Sequence, residues 1–341
     1  MHSDSLFKSA LRTFLRTFFF IFGLFGAIFL ITSITGPFQP DKEGCEITLL
    51  PDLEGNNLPL GASAPVVLRI NIQGVIGAKD NLTTEMVRDL LLETHKGFFK
   101  KDRLKAVFLY CNTPGGTVSD SDGIYSLLKA FKEKYHLPVY AYVEGLLASG
   151  GLYIAASADK IYTSPVANIG SVGVIVGPFF NLFKLFDKIG IEGRSLSEGK
   201  NKDLFSPFRP WTENEDESLK PLIGYTYERF VNVLTSARPK LSKAKLVQEY
   251  GAKIFSAPEA EKIGFTDNSH SSYEEALLEL LKAAKIDPAK PYQLVQLKPK
   301  KKWLNEFFTQ SFLFKSKITH ELDLGPLTTL SGNCAYLYLP Q

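Results

Sequence analysis

The sequence predicts an α/β fold with a largely parallel sheet of βαβ units, then a mostly helical half, behind an N-terminal membrane helix. Three observations point there. Between Val66 and Thr163, apolar runs of strand length alternate with segments of helical spacing. Such alternation implies right-handed crossovers and a buried sheet. After Lys202 the runs give way to amphipathic helical patterns, and from Thr17 to Pro40 no residue carries a charge.

The uncharged stretch comes first in the chain. About 20 apolar residues cross a hydrocarbon layer, and this stretch, with its core from Phe18 to Ile34, is about that long. Lys8, Arg12 and Arg16 precede it. The positive-inside bias then keeps residues 1–16 cytoplasmic, makes 17–36 a single-pass anchor, and places residues from 41 onward outside. A cleaved signal peptide is the alternative, but its apolar region is normally shorter and ends in an A-x-A-like site. Cys45 follows Gly44 and hints at lipidation, yet Asp41, Lys42 and Glu43 separate it from the apolar run.

Residues 37–64 carry Pro37, Pro40, Pro51 and Pro59 and read as a linker. Val66–Ile72 is a strand, Leu82–His95 a helix, Ala106–Cys111 a strand and Asp120–Tyr135 a helix with Ile124, Leu127, Leu128 and Phe131 on one face. Val139–Val143 is a strand, Ser149–Ala158 a helix and Lys160–Thr163 a short strand. Residues 65–204 thus form an α/β core. In 205–287 helices are expected at Glu213–Ser236, Ser242–Gly251, Ala257–Lys262 and Tyr273–Lys285. The remainder, 288–341, reads as a tail. Its lysines from Lys298 to Lys302 adjoin Trp303, Phe307, Phe308, Phe312 and Phe314. It either packs on the domain as a terminal helix or lies on an anionic membrane.

Composition narrows the function. With 341 residues, 45% hydrophobic, 22% charged and a net charge of +3, the chain is globular and too evenly charged to imply nucleic acid. Cys45, Cys111 and Cys334 make neither a disulfide scaffold nor a zinc pattern, and the five histidines are scattered. No metal or cofactor is expected.

Three loops at strand ends carry the chemistry. Asn112-Thr113-Pro114-Gly115-Gly116 follows a strand, and adjacent glycines let the backbone approach a ligand and aim an N–H at a developing negative charge. Ala148-Ser149-Gly150-Gly151 opens a helix. There Ser149 is either an ordinary N-cap or a nucleophile whose oxyanion meets backbone N–H groups. A serine nucleophile needs a base, and no histidine lies close in sequence. A lysine serves only when desolvation keeps it neutral. Ser197-Glu198-Gly199-Lys200-Asn201-Lys202-Asp203 offers two, or is simply an exposed charged turn.

Together the loops resemble the signal peptide peptidase A/SohB family of membrane-bound Ser-Lys peptidases. The matching segments are NTPGG at 112–116, ASGGLYIAASADKIYTSP at 148–165, NIGSVGV at 168–174 and SEGKNKDLFSPFRPWT at 197–212, within a likeness running from about Val66 to Ala284. The resemblance implies a ClpP/crotonase-like fold with Ser149 as nucleophile and Lys202 as general base. Lys200 is the rival if the loop register shifts. It further implies that Ser171 orients the lysine and that the backbone N–H groups of Gly116 and Gly150 form the oxyanion hole. The implied partners are signal peptides and other peptide substrates, membrane lipid and further copies of the chain in a homo-oligomeric ring. The implied location is the bacterial inner membrane, with the catalytic domain extracytoplasmic. Two departures stand out: Glu198 separates Ser197 from Gly199 where the family has Ser-Gly, and Gly251–Ala257 departs from the family's Gly-Arg-x-aromatic-Thr-Gly. The competing functions are an acyl-CoA enzyme of the same fold, which would not need Ser149 or Lys202, and a non-catalytic membrane scaffold.

Overall fold

The computed structural model describes residues 6–35, 45–78, 81–100, 102–299 and 335–337. The chain divides into two units, residues 1–44 and 45–341. In the first, Leu6–Thr35 is one helix, α1. Thirty residues at the α-helical rise span about 45 Å, more than a hydrocarbon core. Within it Lys8–Ala27 is apolar enough to cross a membrane. The expected anchor begins later, at 17, where the charge-free run starts, whereas the helix itself begins earlier and includes the basic flank.

The second unit begins with β1 (Cys45–Leu50) and β2 (Val66–Ile76), then α2 (Thr84–Glu93), β3 (Leu104–Thr117), α3 (Val118–Tyr135), β4 (Val139–Ala148), α4 (Gly150–Ala155), β5 (Lys160–Thr163) and β6 (Asn168–Gly170). Then come α5 (Phe183–Lys188), α6 (Leu219–Ala237), α7 (Lys243–Lys245), β7 (Ile254–Ser256), α8 (Ala257–Ile263), α9 (Tyr273–Ala283), β8 (Gln293–Pro299) and β9 (Ala335–Leu337). The sheet order is β1-β8-β2-β3-β4-β6-β7, with β5 beside β4 and β9 beside β3. The central pairings β8-β2, β2-β3, β3-β4, β4-β5 and β4-β6 are parallel. The flanks β1-β8 and β6-β7 are antiparallel.

Side chains alternate across the sheet, as the pleat requires. Val66, Leu68, Ile70, Val107 and Leu109 join the core under α2, α3, α4 and α6, whereas Val67 and Phe108 pack with Leu277, Leu280 and Leu281 of α9. Helices thus cover both faces, which is why the central strands read as continuous apolar runs. The helix starts are fixed locally. Thr83 and Thr117 accept from the N–H groups of Met86 and Asp120, and Ser272 with Glu275 forms a capping box.

Several elements differ from the sequence reading. Within the stretch read as linker, Cys45–Leu50 pairs with Gln293–Pro299, which lies within the stretch read as tail. The strand expected to end at Cys111 continues to Thr117, because the ladder with β2 resumes after an irregularity at Val75↔Gly115 and Ile76↔Gly116. The helix expected over Ser242–Gly251 is one short α turn followed by a π turn, Leu246–Tyr250. The basic and aromatic stretch 300–314 and Cys334 lie outside the described residues.

Candidate active site

The β4-α4 junction builds the centre of the site. Thr113 pairs with Leu147, so two residues further on Gly115, still within β3, and Ser149, just past β4, follow from adjacent strands. On the other side Ala148 pairs with Gly170, and the next residues are Ser149 and Ser171. The N–H of Ser149 donates to the carbonyl of Gly170 at 2.8 Å. Ser149 has φ 52° and ψ −117°, a conformation that side chains rarely adopt. Strained serines at strand-to-helix turns present a hydroxyl where an unstrained turn would not.

That hydroxyl is not a cap. No hydrogen bond from the helix start reaches it, and Ser149 Oγ is buried with no hydrogen-bond partner. A buried hydroxyl normally finds a partner, so an unspent one needs an explanation. The ordinary N-cap reading of Ser149 does not supply it.

The glycines are needed for space. A Cβ on Gly116 would stand 1.9 Å from the carbonyl oxygen of Ile76, and one on Gly151 would stand 2.4 Å from Cγ2 of Thr113. Gly115 has φ 99°. Its N–H donates to Oγ1 of Thr113 at 3.0 Å, and that hydroxyl donates to the carbonyl of Gly74 at 2.6 Å. Asn112 accepts from the N–H of Leu146 at 3.1 Å. Asn112 and Thr113 therefore shape the loop, roles the sequence argument did not assign. The signal was present: two polar residues directly follow an apolar strand.

Ser171 is buried, with φ 56°, and its N–H donates to the carbonyl of Lys253 at 2.9 Å. The strands thus bring Ser149, Ser171, Gly150 and the Gly115–Gly116 turn together. Lys202 is not in hydrogen-bond contact with Ser149. It is exposed in the turn Gly199–Phe205, as is Lys200.

The segment after Lys202 is tied down by charge. Arg209 donates from Nε to Asp203 at 2.7 Å and from Nη2 to Glu215 at 2.6 Å. Glu215 also accepts from the N–H groups of Phe205 and Thr212. The hydrogen bonds from Arg209 and Thr212 pull the Glu215 carboxyl down to about 2. Phe205 stacks on Phe179 with centroids 4.2 Å apart. Much of this arm's apolar surface is uncovered: Phe180, Leu185, Ile189, Ile191 and Leu196 are exposed.

The described histidines sit elsewhere. His95 contacts Tyr135, His136 caps the C-terminus of α3, and His270 contacts Ser269. Among the described residues no cluster of His, Cys, Asp or Glu is placed to hold a metal.

Known proteins resemble the chain in sequence. The profile of Peptidase family S49 matches residues 131–287, and that of Clp protease matches 69–170. The likeness to Clp protease accords with the parallel sheet and its βαβ crossovers. A Methanocaldococcus jannaschii protein named "Putative protease" is 32% identical over 248 residues, 71% of this chain and 78% of its own. An Enterococcus faecium "Putative signal peptide peptidase SppA" is 30% identical over 243 residues, 70% of this chain and 69% of its own. "Protease 4" of Haemophilus influenzae is 27% identical over 242 residues, and the match spans 36% of that longer protein.

Proposed function

The chain belongs to peptidase family S49, and we propose that it works as a membrane-anchored Ser-Lys endopeptidase, with Ser149 as nucleophile. One observation carries this reading: Ser149 Oγ is buried, unpartnered and held in a strained strand-to-helix turn. A hydroxyl in that state is available to attack a carbonyl. The N–H groups of Gly116 and Gly150 are the proposed donors to the oxyanion, and a preorganised donor is commonly worth about 10²–10³ in kcat. Ser171, one residue past the strand pair that also leads into Ser149, is the proposed positioning residue for the base.

The base is Lys202. An ammonium in water cannot accept a proton at neutral pH, so the lysine must be covered before it acts. Among the described residues nothing holds it within hydrogen-bond reach of Ser149. The uncovered apolar residues of its arm favour a second copy as the cover, so that each Lys202 serves the Ser149 of a neighbour in a homo-oligomer. Burial of that arm would both desolvate the lysine and narrow access to the site.

The substrates are extended peptides, and the apolar α1 favours those left in or near the membrane, remnant signal peptides first. The helix would anchor the chain in the inner membrane with the peptidase unit extracytoplasmic. An acyl-CoA enzyme on the same scaffold has no use for a strained, unspent serine. A biotinylated fluorophosphonate tests the reading. It should label the parent chain at Ser149 and leave Ser149→Ala unlabelled, and a quenched signal-peptide substrate should be cleaved only by the parent. Equal labelling of both proteins would sink the assignment.

A further inference from the structure

We propose that Asp122 is a positioning residue for peptide cleavage: held by Arg229, it fixes through the hydroxyl of Tyr153 where Ser149 stands relative to the Gly115–Gly116 turn. This rests on the reading of Ser149 as nucleophile.

The need for such a residue comes from the two helices that follow the reacting loops. Gly116 is followed by Thr117, the N-cap of α3, and Ser149 heads α4. The spacing between α3 and α4 is therefore also the spacing between the proposed oxyanion donor and the nucleophile. Helix α4 has six residues, too few to be stable by its own hydrogen bonds. Its direction has to come from what it packs against. All six are buried, and Tyr153 alone among them has a polar side chain.

Tyr153 reaches from α4 to α3. Its N–H donates to the carbonyl of Ser149 at 3.0 Å, and its hydroxyl donates to Oδ1 of Asp122 at 2.5 Å. Asp122 lies near the start of α3. Arg229 of α6, about half exposed, comes to the same oxygen from the solvent side, with Nε at 2.8 Å and Nη2 at 2.7 Å. A guanidinium that grips with two nitrogens fixes the carboxylate's direction, as the point charge of a lysine does not. The Tyr153 ring is set edge-on to Tyr125 of α3, with centroids 5.4 Å apart, and lies 5.1 Å from Phe230 of α6. Asp122 thus ties the helix after the glycine turn to the helix headed by Ser149. Misplacing reacting groups by about 1 Å can cost about 10²-fold in rate. The link is therefore felt in turnover, although Asp122 touches no substrate.

A link that only packed the helices together would behave differently, and a fluorophosphonate separates the two roles. With full-length protein in detergent micelles, the final extent of labelling counts competent serines and the rate reports how fast each reacts. Tyr153→Phe removes the hydroxyl and keeps the ring. It should label to the parental extent but about tenfold more slowly, and cleave a quenched signal-peptide substrate with kcat lowered about tenfold and KM unchanged. Asp122→Leu should match it. Asp122→Asn, which keeps an oxygen to accept from Tyr153, should recover most of the rate. Combining Asp122→Leu with Tyr153→Phe should be no slower than the slower single change, since both remove one link. Fewer labelled sites with a parental rate at each would show that the link only holds the fold, and would overturn the proposal. Losses that multiply in the double variant would also overturn it. If the parent labels at Ser149 and Tyr153→Phe reacts as fast, the positioning role alone falls. If the parent takes no label at Ser149, the serine-peptidase reading falls and the proposal with it.

Discussion

Ser149 and Ser171 stand side by side, each one residue past the paired Ala148 and Gly170 of adjacent parallel strands, and each at positive φ, 52° and 56°. Two neighbouring strands thus each lead into a serine of positive φ at the same level of the sheet. Ser149 is further tied to Gly170 through its backbone N–H. The strain is a property of the junction and not of the hydroxyl, which lets stability and activity be separated by mutation.

Stability should not fall when the hydroxyl is removed. A capping serine replaced by alanine costs about 0.5–2 kcal/mol. Ser149 makes no cap bond and its Oγ is buried without a partner, so Ser149→Ala should match the parent in urea unfolding while activity vanishes. Ser149→Gly should be the more stable of the two, by about 1 kcal/mol, because glycine accepts positive φ without strain. A loss of more than about 1 kcal/mol in Ser149→Ala would show that the hydroxyl holds the helix start after all.

Gly116→Ala should be severe. Its Cβ would lie 1.9 Å from the carbonyl oxygen of Ile76, which is backbone of the neighbouring strand and cannot swing aside. Forcing the strands apart should cost about 2–4 kcal/mol and displace the proposed oxyanion donor. Thermal melting with substrate turnover checks both. A variant with parental melting temperature and activity would refute the close approach of β2 and β3.

The buried thiol of Cys111 offers a probe of the same core. Burial raises it to about 12, so the thiolate that alkylating reagents need is scarce below that pH. At pH 8 iodoacetamide should spare Cys111 in the folded chain and modify it only through unfolding. Mass spectrometry of the peptide containing Cys111, across a urea series, reads the outcome. Fast labelling in water would show that β3 opens locally.

How much of this was legible in the sequence follows from the physics of each element. Ala106–Cys111 and Val139–Val143 were legible because a strand covered on both faces is apolar throughout. The strands Cys45–Leu50 and Gln293–Pro299 were not, since each stands among prolines and charges, and each is held by a partner distant in sequence: Gln293–Pro299 by β2, and Cys45–Leu50 by Gln293–Pro299. Such pairing over long separation leaves no local mark. Ser149 was recognisable from Gly150 and Gly151 beside it, but its torsion angles and unspent hydroxyl required coordinates. Lys202 was singled out by resemblance alone, and its exposure is something a linear pattern cannot carry.

The arm that bears Lys202 should lose its order on acidification later than an ordinary ion pair would. Hydrogen bonds from Arg209, the largest influence, lower both Asp203 and Glu215, Glu215 to about 2 from 4.5. A carboxyl whose folded value is depressed contributes stability above its unfolded value, and that contribution fades as pH falls through the folded one. The clamp should therefore hold at neutral pH and weaken between about pH 4.5 and 2. Trp211, whose indole N–H donates to the carbonyl of Ser206 at 2.9 Å, reports on the arm by fluorescence in a Trp303→Phe background. Arg209→Ala should move the transition toward the ordinary carboxylate range. An unchanged transition would mean that Arg209 does not hold the arm.

The sharpest prediction concerns which copy supplies the base. Lys202→Ala should abolish turnover with the fold intact, while Lys200→Ala, in the same exposed turn, should be mild. Equal loss from both would mean that the turn matters as a whole and that Lys202 is not the base. If each site pairs Ser149 of one copy with Lys202 of the next, then Ser149→Ala and Lys202→Ala chains complement one another. Neither is active alone. Co-expressed in equal amounts and assembled at random, about one interface in four joins an intact serine to an intact lysine, so about a quarter of parental activity should return. If instead the arm folds back so that both groups come from one chain, no mixture can hold an intact dyad. The sign of the result is unambiguous: activity regained places the site between copies, and its complete absence in a confirmed mixed oligomer places the lysine within the chain.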